Sequence, residues 1–146
     1  MKLVERIHGP DGSIYLRRIK LTPSTPWGQL LFHTFFRGDM DADPHDHPWD
    51  FTTFPLNSYA ELVGPATIQV VKRFRFHHRY AGHTHRVLHA TDFRVPFYTL
   101  VWRGPYRRTW GFWRDWKEFV PYWEYLGLKP PARLGPSDKT RKVKES

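Results

Sequence analysis

The sequence predicts a single all-β domain, arranged as a sandwich or small barrel with a jelly roll as the leading candidate. Short runs rich in Val, Ile, Phe, Tyr and Thr alternate with turn residues, and helix signals are nearly absent before the last quarter of the chain. The 146 residues are 40% apolar and 17% aromatic, which is enough for one core. Because no helical crossovers separate the strands, a parallel α/β architecture is disfavoured.

The strands follow from these runs taken in order along the chain. The predicted strands span residues 3–7, 13–21, 29–37, 51–61, 67–76, 84–89 and 97–103. Gly9-Pro10-Asp11-Gly12 is typical of a hairpin turn between the first two. Pro55 interrupts the fourth run, so that strand must be an edge, a bulge or a bend. Residues 109–126 predict a last strand and a short helix near residues 117–125.

The charge is concentrated in a way that divides the chain into a domain and a tail. The formal net charge is +9, and part of the excess lies beyond residue 130, after a proline-rich stretch. We expect one domain over residues 1–130 and a basic, flexible tail over 131–146. The remaining Lys and Arg lie among aromatic residues on predicted strands, which suits a solvent-facing sheet or an anionic ligand. Nucleic-acid binding stays an alternative that this distribution does not favour.

Composition also limits the kind of metal site and the compartment. The chain has no cysteine, so disulfides and thiolate metal sites are excluded and a metal must be held by histidine, carboxylate or carbonyl groups. The first residues lack the apolar core of a signal peptide, and no run approaches the roughly 20 apolar residues of a membrane span. We therefore expect a soluble, cytoplasmic protein with no membrane partner.

The most informative motif is His45-Asp46-His47. Residues two apart on a strand point to the same face, so His45 and His47 can present two imidazoles to one point inside a barrel. A later group, His83-Thr84-His85 with His89, can add a further ligand, with or without a carboxylate. Three or four nitrogen and oxygen ligands of this kind suit Fe, Mn, Ni, Cu or Zn.

Several segments together resemble a known family. They are Tyr15-Leu16-Arg17-Arg18, Thr25-Pro26-Trp27-Gly28, His45-Asp46-His47-Pro48-Trp49-Asp50-Phe51, Tyr59-Ala60-Glu61, His85-Arg86-Val87, Tyr98-Thr99-Leu100-Val101 and Trp110-Gly111-Phe112. In order and spacing, from Tyr15 to about Leu126, the chain resembles small, largely uncharacterised cupin-like proteins of bacteria and bacteriophages. The resemblance implies a double-stranded β-helix barrel with a metal between the His-x-His strand and a later histidine. It does not specify the chemistry, because cupins include dioxygenases, isomerases, epimerases, lyases and metal-free binders.

The resemblance also selects the site residues. His85-Arg86-Val87 matches the family segment, so the expected ligands are His45, His47 and His85. Cupins usually carry a glutamate shortly after the second histidine, but threonines stand there in this chain. A three-histidine site and a site with Glu61 as a fourth ligand are therefore both open, and Asp50, His83 and His89 remain alternative ligands.

The first functional expectation is a non-haem, dioxygenase-like oxidoreductase that acts on a small polar or anionic substrate. With iron, the first choice of metal, three imidazoles leave positions open for substrate and dioxygen. Tyr98 is a candidate catalytic residue. An anionic substrate could be bound by whichever of these residues faces the barrel mouth: Tyr59, Tyr98, Arg73, Arg75 or Arg103. With Zn, Ni or Mn the expectation changes to an isomerase or lyase with Glu61 as the base. The contrasting class is a non-enzymatic binding module, for example a virus-encoded one, with affinity for nucleic acid.

The C-terminal part of the domain holds four tryptophans within residues 110–123. Indoles at this density more often cap a barrel end or build a subunit interface than bind a ligand. We therefore expect packing in this segment and a homodimer as the assembly.

Overall fold

The computed structural model describes residues 3–8, 12–38, 43–88 and 96–131. The strands in this part of the chain are β1 (Val4–His8), β2 (Ile14–Lys20), β3 (Gln29–Phe35), β4 (Phe51–Pro55), β5 (Tyr59–Gly64), β6 (Thr67–Val71), β7 (His77–Arg79), β8 (Arg86–Val87), β9 (Phe97–Arg103), β10 (Gly111–Arg114) and β11 (Glu118–Pro121). One short helix, α1 (Tyr122–Tyr125), follows β11. Among these residues no helix is long and apolar enough to cross a membrane.

One layer of the protein is a six-stranded antiparallel sheet in the order β1-β2-β3-β9-β4-β7. Its alternating residues face the core, as along β9, where Phe97 and Val101 are buried and Trp102 is exposed. Leu31 pairs with Val101 in the register of β3 and β9 and is buried as well. The inner face of this sheet is therefore the wall on which the core is built.

The opposite layer is assembled through the segment that carries the His-x-His motif. The strands β6, β5 and β8 form one small sheet, and β10 and β11 form another. Residue 45 exchanges two main-chain hydrogen bonds with His85, at 2.9 and 3.0 Å, while Asp46 N–H donates to Gly111 O and Trp113 N–H donates to Pro44 O. Residues 44–46 thus join the two small sheets into one layer, in the order β6-β5-β8, then 44–46, then β10-β11.

The two layers enclose one main core. Leu16, Phe35 and Phe97 from the six-stranded sheet pack with buried residues of the second layer, among them Tyr59 and Val71. Phe97 is stacked between the rings of Phe35 and Tyr59, at centroid distances of 4.8 and 5.0 Å. The predicted all-β jelly roll with a short C-terminal helix is confirmed.

Several element boundaries differ from the prediction. The run 51–61 is two strands, because the chain turns after Pro55, and the run 67–76 stops at Val71. A short strand, β7, was not predicted because its residues are polar. Residues 109–126 form two strands rather than one. They are joined by the three-residue turn 115–117, in which Asp115 and Trp116 have positive φ angles of 51° and 62°.

The aromatic C-terminal segment packs onto the second layer. Trp110 stacks on Tyr122 at 5.0 Å, Phe112 stacks on Tyr125 at 3.9 Å, and Trp123 is buried. The segment therefore contributes packing to this part of the barrel, in line with the interpretation of its tryptophans. The division at residue 130 stays a prediction, and most of the basic tail lies outside the described residues.

Candidate metal centre

Three imidazoles from two separate segments meet on one side of the barrel. The ring centroids of His45, His47 and His85 lie 5.2, 4.9 and 4.9 Å apart, and one nitrogen from each ring lies within 4.8 Å of the others. His47 and His85 are buried and His45 is half-buried. A tetrahedral site with bonds of about 2.0 Å needs donors about 3.4 Å apart, so small side-chain rotations bring these nitrogens to a common ion.

The local chain geometry explains why His45 and His47 point together. Asp46, between them, points the other way, and its carboxylate accepts hydrogen bonds from Gly111 N–H at 2.8 Å and from Trp113 Nε1–H at 3.1 Å. Arg108 forms an ion pair with the same carboxylate at 3.0 Å. Burial raises the pKa of Asp46 to about 6, against the opposing effect of the Arg108 charge. Asp46 thus fastens the motif to β10.

Glu61 orients the imidazole of His85. The Glu61 side chain is only 1% exposed, and its Oε2 accepts a hydrogen bond from His85 Nδ1–H at 2.5 Å. Because a carboxylate can only accept, the proton lies on Nδ1, and Nε2 is left with its lone pair for a metal. Arg79 pairs with the other carboxylate oxygen at 2.8 Å.

The pKa of Glu61 reflects these contacts. Burial by itself raises this pKa, but the nearby His83 ring, the hydrogen bond from His85 and the charge of Arg79 outweigh burial. The net effect holds the pKa of Glu61 well below its ordinary value of 4.5. The carboxylate is therefore charged at neutral pH and occupied by its partners.

His47 is oriented in a similar way, by the main chain. Its Nδ1 lies 3.2 Å from the carbonyl oxygen of His83, which can only accept, so this nitrogen carries the proton and Nε2 carries the lone pair. Burial lowers the pKa of His47 well below its ordinary value, and the neighbouring His85 and His45 lower it further. The neutral imidazole that results is the form that binds metals.

A second group of donors shares His85 with the first. One ligand atom each from Glu61, His83 and His85 lies within 4.8 Å of the others, and His83 Nε2 is 3.4 Å from Glu61 Oε1. The described part of the chain therefore contains two overlapping donor sets, and Glu61 belongs to the one that lacks His45 and His47.

The other predicted site residues are Tyr98, Asp50 and His89, and none of them belongs to the two donor sets found among the described residues. Tyr98 is not near the centre: it stacks on Phe32 at 5.9 Å on the outer face of the six-stranded sheet, because its neighbour in β9 takes the inward position. The catalytic role predicted for Tyr98 is therefore not supported. Asp50 accepts a hydrogen bond from Ala81 N–H and pairs with Arg107, away from the imidazoles. His89 lies outside the described residues.

Sequence reasoning missed the residues that hold the ligands in place. Arg79 was overlooked because β7 was not predicted, and no local signal links it to Glu61, 18 residues earlier. The carbonyl of His83 carries no side-chain signal at all. The alternation of side chains along a strand could have shown that Asp46 points away from its two neighbours.

Comparisons with known proteins agree with this architecture. No family model matches the chain, and no curated protein matches it. The polyketide cyclase RemF from Streptomyces resistomycificus superposes with a TM-score of 0.54 and 17% identity, over 77% of this chain and 79% of RemF. An uncharacterised double-stranded β-helix protein from Klebsiella pneumoniae gives a TM-score of 0.51 and 14% identity, over 67% and 84% of the two chains. The fold is therefore a double-stranded β-helix.

A third solved structure, iron(II)-bound HppE, gives a TM-score of 0.52 and 13% identity, over 68% of this chain and 56% of HppE. At these identities the similarity establishes the fold and no more. The bacterial or phage origin implied by the resemblance stays a prediction.

Proposed function

We propose that the protein is a metal-dependent enzyme that holds one divalent transition metal ion with His45, His47 and His85. The observation that carries the proposal is the convergence of three imidazoles, two of which have Nδ1 engaged by an acceptor so that Nε2 carries the lone pair. We propose further that it is a non-haem, dioxygenase-like oxidoreductase acting on a small polar or anionic substrate.

The donor set fits such an ion. Three neutral nitrogen ligands suit iron first, and also copper, manganese, nickel or zinc. When bound, the ion supplies open coordination positions at which a substrate is polarised or oxidised. The fold of HppE, whose structure holds iron(II), accommodates this metal.

The surrounding side chains shield the centre from water. The ring centroids of Phe51 and Trp49 lie 4.4 and 5.8 Å from that of His47. The ring centroid of Phe112 lies 6.1 Å from that of His45. An apolar shell of this kind lowers the local dielectric and limits solvent access. Within the described part of the chain, the carboxylate nearest to a bound ion would be Glu61, which is hydrogen-bonded to the ligand His85 and would balance part of the charge of the ion.

The contacts of Glu61 argue against its use as the general base of the isomerase or lyase alternative. That alternative needs a general base, and Glu61 was its candidate. A base works best with a pKa near the working pH, whereas the pKa of Glu61 is held low by its hydrogen bonds and by Arg79. Glu61 is better suited to positioning His85 than to taking a proton from a substrate.

Metal analysis of purified protein tests the proposal. The wild type, His45→Ala, His47→Ala and the control His78→Ala, an exposed histidine on β7, are supplemented with iron and analysed by mass spectrometry. We expect about one ion per chain in the wild type and in the control, and loss of the ion in the other two variants. Stoichiometric metal in His47→Ala, or none in the wild type, would overturn the metal centre.

Dioxygen uptake by the iron-loaded protein tests the reaction class. A panel of small carboxylic acids and phosphate esters is screened with an oxygen electrode, with His47→Ala as the blank. Uptake that depends on both substrate and His47 supports the oxidoreductase. Equal uptake by the wild type and the blank across the panel would contradict it while leaving the metal centre intact. The homodimer and the cytoplasmic location stay predictions.

A further inference from the structure

A second polar site lies beside the metal centre. A cavity of about 330 Å³ opens at the end of the six-stranded sheet where Lys20, Leu31 and Arg103 lie on neighbouring strands. Its polar lining includes Arg18, Lys20, Arg103, Gln29 and Glu5. These polar residues come from β1, β2, β3 and β9, whereas Trp49 and Tyr106 complete the lining from connecting segments.

The charges in this cavity do not cancel. Within the described part of the chain, Glu5 is the one carboxylate in the lining, and it is shared by Lys20, at 2.8 Å, and Arg18, at 3.4 Å. Among the residues that the structure describes, the partners of Arg103 are neutral: its guanidinium donates to Gln29 Oε1 at 2.9 Å, to Ser24 Oγ at 2.8 Å and to Gly104 O at 3.2 Å. Three cations against one carboxylate leave the cavity with a net charge of +2.

The excess positive charge of the cavity is energetically unfavourable because Arg18 is largely buried. Burial lowers the pKa of Arg18, Glu5 raises it, and the nearby charge of Arg103 lowers it again. Arg18 Nε donates to His33 Nε2 at 3.1 Å, and burial holds the pKa of His33 well below its ordinary value, so this histidine is neutral. Like charges in a partly desolvated cavity repel one another, and an anion that enters relieves this repulsion.

The cavity and the metal centre share a wall. Trp49 lines the cavity, and its ring lies 5.8 Å from that of His47. Trp49 also packs against the buried cluster of Leu31, Phe51 and Val101. A molecule held in the cavity is therefore one side chain away from the proposed metal ligands.

We propose that this cavity is a subsite for the anionic group, a carboxylate or a phosphate, of the small molecule that the protein acts on, with Arg103 and Lys20 as its principal cations. Arginine binds both groups through paired N–H donors, and lysine adds a point charge. The identification of this ligand as the substrate rests on the proposed function, whereas the anion site itself can be tested without a metal.

Calorimetric titration of chelator-treated protein at low ionic strength tests the subsite. Inorganic phosphate and succinate serve as separate probes, so that phosphate and carboxylate binding are distinguished. Arg103→Gln removes a cation that has no carboxylate partner among the described residues. Arg75→Gln removes the same charge at an exposed position between β6 and β7 and is the matched control. We expect saturable binding of at least one probe, weakened about tenfold or more by Arg103→Gln and unchanged by Arg75→Gln.

A second variant, Glu5→Gln, is expected to change anion affinity in the opposite direction. This change removes the competing carboxylate and raises the net charge of the cavity, so we expect tighter binding of the same probe. A merely structural role of these residues would not produce effects of opposite sign in Glu5→Gln and Arg103→Gln. Absence of saturable binding to the wild type, or equal affinities of Arg103→Gln and Arg75→Gln, would overturn the subsite.

The two proposals fail in distinguishable ways. Metal uptake is measured on a separate portion of the Arg103→Gln protein that is supplemented with iron and not treated with chelator. We expect it to equal that of the wild type, because Arg103 does not belong to either donor set. Anion binding without metal uptake would refute the metalloenzyme alone. Metal uptake without anion binding would refute the subsite alone.

Discussion

Replacing Glu61 by glutamine tests the way in which the metal centre is organised. The change removes one negative charge and nearly preserves the size of a side chain that is 1% exposed. The amide oxygen of glutamine can still accept a hydrogen bond from Arg79 or from His85 Nδ1. It cannot balance the charge of Arg79 or that of an ion bound through His85.

The contacts of Glu61 set the expected magnitude. Groups that orient a metal-binding histidine typically contribute 10- to 100-fold to metal affinity, so we expect a loss of about 1.4–2.7 kcal/mol in Glu61→Gln. Removing one partner of a buried ion pair costs about 3–5 kcal/mol of folding stability. Because Arg79 is 15% exposed and keeps the amide as a partner, we expect the metal-free variant to lose about 2–3 kcal/mol.

Two measurements check these values. Metal affinity is determined by competition with a chromophoric chelator, and the free energy of unfolding of the metal-free protein is determined by urea titration. Glu118→Gln, an exposed position on β11, is the control for the loss of a carboxylate. Metal affinity within about twofold of the wild type would refute the orienting role of Glu61. A loss as complete as that in His47→Ala would show instead that Glu61 is itself a ligand.

Three further outcomes are expected. The pKa of Glu61 is lower in the folded than in the unfolded chain, so the contribution of Glu61 to stability is complete above about pH 4.5 and is lost as the pH falls below that value. In urea titrations between pH 3 and 7, the free energy of unfolding should therefore decline less steeply with falling pH in Glu61→Gln than in the wild type. Phe97→Ala should lower the free energy of unfolding by about 3–5 kcal/mol, since the ring is 1% exposed and stacked on two others, and a loss below about 1 kcal/mol would contradict this packing. Gly28→Ala should destabilise the protein by about 1–3 kcal/mol more than Gly12→Ala. Both glycines have positive φ, but a Cβ at Gly28 would lie 2.3 Å from a main-chain oxygen, whereas a Cβ at Gly12 would meet no atom within 4 Å. Equal urea midpoints of the two variants would contradict this close approach.

The local pattern of the chain was sufficient for the fold class and for half of the site. Alternating apolar residues and frequent turn residues predicted the strands, and β9 has the predicted bounds of residues 97–103. The spacing of His45 and His47 placed both imidazoles on one face because side chains alternate along an extended chain. The absence of cysteine excluded thiolate ligands.

Other features depended on pairings that no local pattern encodes. Residue 45 forms hydrogen bonds with a residue 40 positions later in the chain, and this pairing brings the His85 ring to the other two. Glu61 meets Arg79 because the second layer packs near β7, and Tyr98 points outward because of the register of β9. Even the resemblance that selected His85 did not show that Glu61 would bind its Nδ1.

The sequence alone therefore determined the architecture, the type of ligand atom and the two histidines of one extended segment. The tertiary structure decided the third histidine's orientation, the carboxylate that holds it and the basic cavity next to it. The physical reason is the distance along the chain over which each feature is determined. Side-chain alternation and turn formation depend on a few neighbouring residues, whereas the convergence of side chains depends on the register between strands that are distant in the chain.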